Sequence, residues 1–542
     1  MGRPVLALAI LLGAAAPGGL VAGCEGCGPG EVAAPAVSPS SATSPEEAPA
    51  PPARLAAHLA IAPPQTSWPA VVEVLGDAAK GWPRSFGTAV VGELGLPITA
   101  AEHVSTDAPI PVALLADDAG RVDAVAAFHL RAVDRVEVLA TGGEGARLRA
   151  ERLPGGVVRL VPVRAGETPR VHLALVGNHL VAATSEAALA EAAAFVVRAP
   201  APARPDGALA VATLGPSFAG AARPLVTRLA ASMPPLPGGP TPDAAAAVGP
   251  LLEALAGGHA ELRATREAIE LVATGPSSLA ATGAALTVPH GPAAPWLALP
   301  ARSTIAVATQ VSAADRAAEA SRAGETLADA LGLVATRRVR FGSALQELAR
   351  ARSTAVAFAM GLTPEGPAAW FRAGLDDGAA ADRALDELAS AAGKKAREGR
   401  GPSLTGKGTV IERVGEAIRL KVRADAEDGE GTAVDVLVRR EGDALLGAVG
   451  TDAASALQIL RGASPGEGGL ASRPLARRVA EVAPTHAVLA FVDLAALGGG
   501  ARPPEGMTAA LSVSLAGGPR VTALVEPRAL AAVRAKLGAR SP

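Results

Sequence analysis

Two cysteines, eight histidines and a few glycine-rich runs are the places where this 542-residue chain could do chemistry. Cys24-Glu25-Gly26-Cys27 has the spacing of a redox or zinc pair. A zinc site needs four ligands, and no histidine or second cysteine pair lies near; a thioredoxin-like pair would open a helix after a strand, not sit in a Gly-Pro stretch. Gly401-Pro402-Ser403-Leu404-Thr405-Gly406-Lys407-Gly408 approaches a phosphate-binding loop. Gly408 stands where a magnesium-binding hydroxyl belongs, and a strand rather than a helix is expected to follow. Gly462-Ala463-Ser464-Pro465-Gly466 fits the Gly-x-Ser-x-Gly pattern of a nucleophile elbow. Here a helix precedes the serine, a loop follows it, and Pro465 lacks the N–H that an oxyanion hole would need. None of the histidines (58, 103, 129, 172, 179, 259, 290 and 486) is spaced four residues from another. His172 and His179 bracket one strand and its turn, and a regular strand would put them on opposite faces. Asp117-Asp118 and Asp376-Asp377-Gly378 lack a twelve-residue calcium loop and read as turn and cap residues. No catalytic residue, metal ligand or cofactor site is assigned.

Composition narrows the classes further. The formal net charge is −2, without the basic surplus that phosphate neutralisation requires, so nucleic acid is not an expected partner. Aromatic residues make up 2% and tyrosine is absent, which leaves few platforms for stacking bases or sugars. Hydrophobic residues reach 49%, enough for a sizeable core and against wholesale disorder. Asn178 is the lone asparagine and there are four glutamines, a thin supply of neutral polar groups for an elaborate catalytic site.

Residues 1–23 read as a secretory signal: Arg3 near the amino terminus, an apolar run from Val5 to Leu12, then Pro17, Gly18 and Gly19. The segment ends Leu20-Val21-Ala22-Gly23-Cys24, which resembles a bacterial lipobox. That resemblance implies cleavage between Gly23 and Cys24, and lipid on the Cys24 sulfur and on the new amino terminus. Several acyl chains together anchor stably where one is marginal. An uncleaved anchor and cleavage by an ordinary signal peptidase are the alternatives. Residues 24–53 are rich in Pro, Ala and Ser and read as a semi-extended tether.

Past residue 54 the chain reads as though written twice. In the first half, strands at Val157–Val163 and Val171–Val176, a Gly177-Asn178 turn and a strand at Leu180–Ala183 precede a helix opened by Ser185-Glu186. In the second, Ala417–Val422, Val434–Arg439, an Asp443-containing turn and Ala444–Val449 precede a helix opened by Thr451-Asp452. Strand pairs are expected at Pro111–Leu115 with Ala124–Leu130, and at Thr354–Met360 with Ala368–Leu375. Residues 219–257 and 312–350 read as mostly helical. The expected fold class is α+β: two tandem repeated units, 54–290 and 300–542, each an antiparallel sheet with helices packed on one face. The body resembles duplicated bacterial envelope proteins of unknown function, a resemblance that transfers no site residues.

These features together lead to a lipid-anchored protein of the bacterial cell envelope, its body in the periplasm or at the cell surface. It is expected to act as a non-catalytic binding or scaffolding module, with the membrane and an envelope protein or apolar ligand as partners. A carrier of an apolar ligand or lipid is the alternative, and a periplasmic hydrolase a lesser one. The carrier reading expects an apolar sheet face that no helix covers; the hydrolase reading expects a serine hydrogen-bonded to a histidine in a pocket.

Overall fold

The computed structural model describes residues 49–529 apart from 80, 118–119, 143–146, 165–168, 170, 225–243, 277–288, 331–332, 334, 393–409, 424–432, 466, 483–484, 494–507, 516–517 and 528. The signal segment, Gly23, Cys24, the phosphate-loop-like run 401–408 and Asp118 lie outside the described residues. The chain is mixed α and β, and divides into two compact units, Met1–Ala285 and Leu286–Pro542.

The first unit opens with β1 (Leu55–Ile61), whose seven residues are all buried. Such a run has no polar side to give to water, so it is a central strand covered on both faces. Helices α1 (Pro64–Leu75) and α2 (Phe86–Glu93) follow, then β2 (Ile110–Ala116), β3 (Val122–His129) and α3 (Val133–Thr141). Next come β4 (Leu148–Leu153), β5 (Val157–Pro162), β6 (His172–Val176), β7 (His179–Ala183) and α4 (Glu186–Arg198). The unit ends with β8 (Ala210–Leu214), α5 (Ala244–Leu255), β9 (His259–Ala264) and β10 (Ile269–Thr274). All its pairings are antiparallel, in the order β4-β5-β6-β7-β3-β2-β1-β8-β9-β10.

The second unit has α6 (Ala294–Leu297), β11 (Ser303–Gln310), α7 (Ala313–Ala330), α8 (Ala335–Ala351), β12 (Arg352–Thr363), β13 (Gly366–Leu375) and α9 (Gly378–Ala392). Then follow β14 (Val410–Val414), β15 (Ala417–Arg423), β16 (Ala433–Glu441), β17 (Ala444–Gly450), α10 (Ala453–Gly462) and α11 (Pro474–Val482). Last are β18 (Val488–Asp493), β19 (Thr508–Ser514) and β20 (Arg520–Val525). Its antiparallel order is β14-β15-β16-β17-β13-β12-β11-β18-β19-β20.

Local chemistry explains the joints. Gly177 and Gly442 turn the β6–β7 and β16–β17 hairpins at φ 53 and 60, a region costly for any residue with a Cβ. The Ser185 hydroxyl accepts the Ala188 N–H and caps α4. In the second unit the cap falls on Asp452, not on Thr451: its carboxylate accepts the N–H groups of Ala454 and Ser455. The Thr451 hydroxyl instead donates to the Glu365 carbonyl.

The expectation of helices on one face is corrected: each sheet carries helices on both. In the first unit, α4 packs on the face that presents Ala113, Leu115, Val125, Ala127 and Val181. Phe128 points the opposite way, and its ring meets Phe86 of α2 at 6.2 Å. In the second, Trp370 donates its Nε1–H to the Ala456 carbonyl of α10 at 2.8 Å. The next residue, Phe371, faces away from α10 and packs with the core formed by Phe341 of α8 and Leu385 of α9. Strands that are apolar on both sides gain by covering each face, and helices supply a layer on both. Residues 312–350 are mostly helical, as two helices; of 219–257, residues 219–224 and Ala244–Leu255 are helical and 225–243 lie outside the described residues.

Candidate functional site

The cross-strand registers assign every sheet residue to a face. In the second unit Phe358 lies opposite Phe371, Val307 opposite Phe358 and Ala490 opposite Val307. Directly opposed side chains share a face. On the side of α8, five adjacent strands (β19, β18, β11, β12 and β13) therefore present Leu511, Val488, Ala490, Val492, Val307, Phe358, Met360 and Phe371. All eight are half-buried. The helices on this side gather over β13, β14, β15 and β17, where Ala373, Ile411, Ile418 and Leu445 are fully packed. The strip from β19 runs up to that core and joins it at β13, where Phe371 packs against it. In the paired rows of these eight residues, among the described residues, no charged side chain is present and Thr309 supplies the one hydroxyl; Arg352, opposite Leu375, lies on the same face at the end of β12.

The floor of the strip is shaped by Gly447, which pairs with Phe371. A Cβ there would collide with the Phe371 ring, so the missing side chain lets the ring lie flat across β17. The opposite face of the same strands is tightly closed. Trp370, Phe491 and Leu489 are fully buried, and Arg473 sits 5.2 Å over the Phe491 ring.

Buried polar groups collect elsewhere in this unit. A two-residue ladder pairs Gly291 with His486. His486 is fully buried and neither ring nitrogen has a hydrogen-bond partner among the described residues. Burial pushes its pKa down to about 4, and neighbouring His290 adds to the shift. His290 Nε2 accepts the Leu515 N–H at 2.8 Å. Gln310 is buried, takes the Thr354 hydroxyl at 2.9 Å on Oε1, and its amide end occupies the place a Cβ at Gly291 would take.

In the first unit the tight β6–β7 turn changes the expected placement of two histidines. His172 lies opposite Ala183 and His179 opposite Val176, so the two share the α4 face at opposite ends of the hairpin. The expectation of opposite faces fails because the chain reverses between them. His179 meets His129 instead, with ring centroids 5.2 Å apart. Burial lowers the pKa of His58, His172 and His179, and His129 adds to the shift at His179. Among the described residues no group of three or more His, Cys, Asp or Glu side chains could hold a metal ion.

The serines and aspartates have local roles. Ser464 shares both donor and acceptor with Glu467 in a turn, and Ser105 bonds Asp107. Ser67 and Ser303 donate to backbone carbonyls. Asp377 caps α9 through the Ala380 N–H, and Asp117 closes the turn to Arg121. The open strip is what sequence reading missed. Its signal was the contrast between bulky Trp68, Phe86, Val90 and Val91 in α1 and α2 and the Ala-rich, charged α7.

Among the described residues no helix is long and apolar enough to cross a membrane. No family model and no curated protein matches the chain. Three solved structures, all crystal forms of TP0453, show a faint likeness. Form IV shares 8% identity over 41% of this chain and 76% of that one, with a TM-score of 0.22. Form I shares 9% over 45% and 97%, at 0.21, and form III 6% over 76% and 99%, at 0.18. Likeness at these scores carries no argument about fold or function.

Proposed function

We propose that this chain is a lipid-anchored protein of the bacterial cell envelope that works by binding rather than by catalysis, and that it binds through the open apolar strip of its second unit. The anchor is Cys24, read from Leu20-Val21-Ala22-Gly23-Cys24. The body is two tandem copies of one ten-stranded unit. Three matches support that duplication: the same order of strand pairing, the same glycine-turned hairpin before a capped helix, and a register shift at the same place. The shift falls between Leu55 and Ala57 in β1 and between Ser303 and Ile305 in β11. The observation that carries the binding reading is the half-buried strip itself, because a contiguous apolar surface left in contact with water marks an interaction site.

Two measurements test the reading. Mass spectrometry of the native protein should find an acylated peptide beginning at Cys24, and Cys24→Ser should move the protein from the membrane fraction to the soluble one. The environment-sensitive dye bis-ANS should fluoresce on the full chain, and Phe358→Gln with Phe371→Gln should abolish most of that signal while leaving far-ultraviolet circular dichroism unchanged. Dye fluorescence that is indifferent to both substitutions would remove the strip as the binding surface.

A further inference from the structure

Resting on the reading of the strip as a binding surface, we infer that its occupant is a single unbranched acyl chain lying across the strands. Two features of the strip select this chemistry. The first is polarity. The five strands β19, β18, β11, β12 and β13 are paired side by side, so their backbone N–H and C=O groups are committed to the ladders. Among the described residues the paired rows of the strip carry Thr309 as their one hydroxyl, and the one charged side chain on this face, Arg352 opposite Leu375, stands at the end of β12, so little remains along the rows to satisfy a polar partner. A protein partner brings polar groups of its own, about one hydrogen bond per 100–200 Å² of interface. A saturated hydrocarbon chain brings none.

The second feature is size. Five strands leave four gaps, so the strip is about 19 Å across. One acyl chain occupies half of a bilayer's hydrocarbon core, about 15 Å. A chain of that length laid across the strands would touch Leu511, Ala490, Val307, Phe358 and Phe371 in turn, one from each strand. Met360 beside Phe358 is unbranched and adaptable, and fits an occupant whose methylenes have no fixed register.

The test uses the full chain and the fluorescent 18-carbon polyene cis-parinaric acid, displaced by saturated fatty acids of 8, 10, 12, 14, 16 and 20 carbons. Affinity should rise about fourfold for each added methylene while the chain still gains apolar contact. It should then level off near 14–16 carbons, where the strip ends. Val307→Gln and Phe371→Gln should each weaken 16-carbon binding by about tenfold. Val339→Gln, at a solvent-exposed position of α8, should leave it unchanged.

Three outcomes overturn the inference. Affinity that keeps rising past 16 carbons, or does not rise at all, refutes a strip of this length. Absence of acid binding while bis-ANS still reports on Phe358 and Phe371 refutes the acyl chain and leaves the strip a binding surface. Sedimentation showing a dimer that Phe371→Gln dissociates, again with no acid bound, makes a second copy of the chain the occupant. Acid binding indifferent to Val307→Gln and Phe371→Gln instead refutes the strip itself, and with it the reading on which the inference stands.

Discussion

The same register position has opposite surroundings in the two units. Ala126 on β3 pairs with Val112 and Ala182, and Phe371 on β13 pairs with Phe358 and Gly447. In the first unit Ala126, Val112 and the adjacent Leu59 are buried. In the second, Phe371, Phe358 and Val307 are half-buried. The sheets do not explain this, since both are apolar here. The helices do. Helices α1 and α2 bring Trp68 and Phe86 to the sheet, with their rings 5.7 Å apart and Phe86 set against Phe128. Helix α7 carries no large apolar side chain before Leu327, and its buried end joins the core over β13 to β17. The first sheet face is sealed where helices bring bulky rings to it, and the second is half-buried where the helices bring none.

The largest test of this contrast is a charge placed at each of the two positions. Ala126→Asp puts an unpaired carboxylate into a sealed layer and should cost more than about 4 kcal/mol. Phe371→Asp keeps its carboxylate near water and should cost about 1–2 kcal/mol, mostly lost packing. Urea denaturation with peptide-resolved hydrogen exchange reads both; equal losses would dissolve the contrast.

Next in size is the sealed side of the second sheet. Trp370→Ala removes a fully buried ring and the partner of the Ala456 carbonyl, and should cost about 3–5 kcal/mol. A loss similar to that of Phe371→Ala would show that both faces are equally loose.

Acid should act through His486. Its folded pKa of about 4 lies below the 6.5 of an unperturbed histidine, so the unfolded chain takes up the proton first. The stabilisation from keeping this ring neutral is complete above pH 6.5 and is lost as the pH falls from 6.5 through 4, by about 3 kcal/mol in all. His486→Leu should remove most of this slope in exchange-protected peptides of the second unit. His58, His172 and His179 shift the same way, so peptides of the first unit should keep their own acid slope.

The smallest effect concerns the two capped helices. Ser185→Ala and Asp452→Ala should each cost about 1 kcal/mol. Thr451→Ala should cost less than Asp452→Ala if the cap is where the backbone places it, and thermal melts of the three variants decide that.

Much of the local structure was legible in the residues. The β6–β7 and β16–β17 hairpins, the β2–β3 and β12–β13 pairs and helix α4 fall within a few residues of where alternation, Gly-containing turns and a Ser cap put them, because those signals act over only a few residues. Strand β1 was not legible. Leu-Ala-Ala-His-Leu-Ala-Ile neither alternates nor carries a turn signal, and short apolar runs do not separate strand from helix. The partner of His179 was missed for a related reason: His129 lies 50 residues away and reaches it only through β3–β7 pairing.

The residues alone determined the lipobox-like Leu20–Cys24 segment, the low charge, the order of hairpins and the glycine positions that turn them, since each depends on neighbours in the chain. Only the tertiary structure decided which sheet faces are sealed, that helices lie on both sides, and that among the described residues an apolar strip of the second unit is only half-buried. Burial is a property of surfaces brought together from distant parts of the chain. An apolar residue is identical in sequence whether a tryptophan-bearing helix covers it or an alanine-rich one does not.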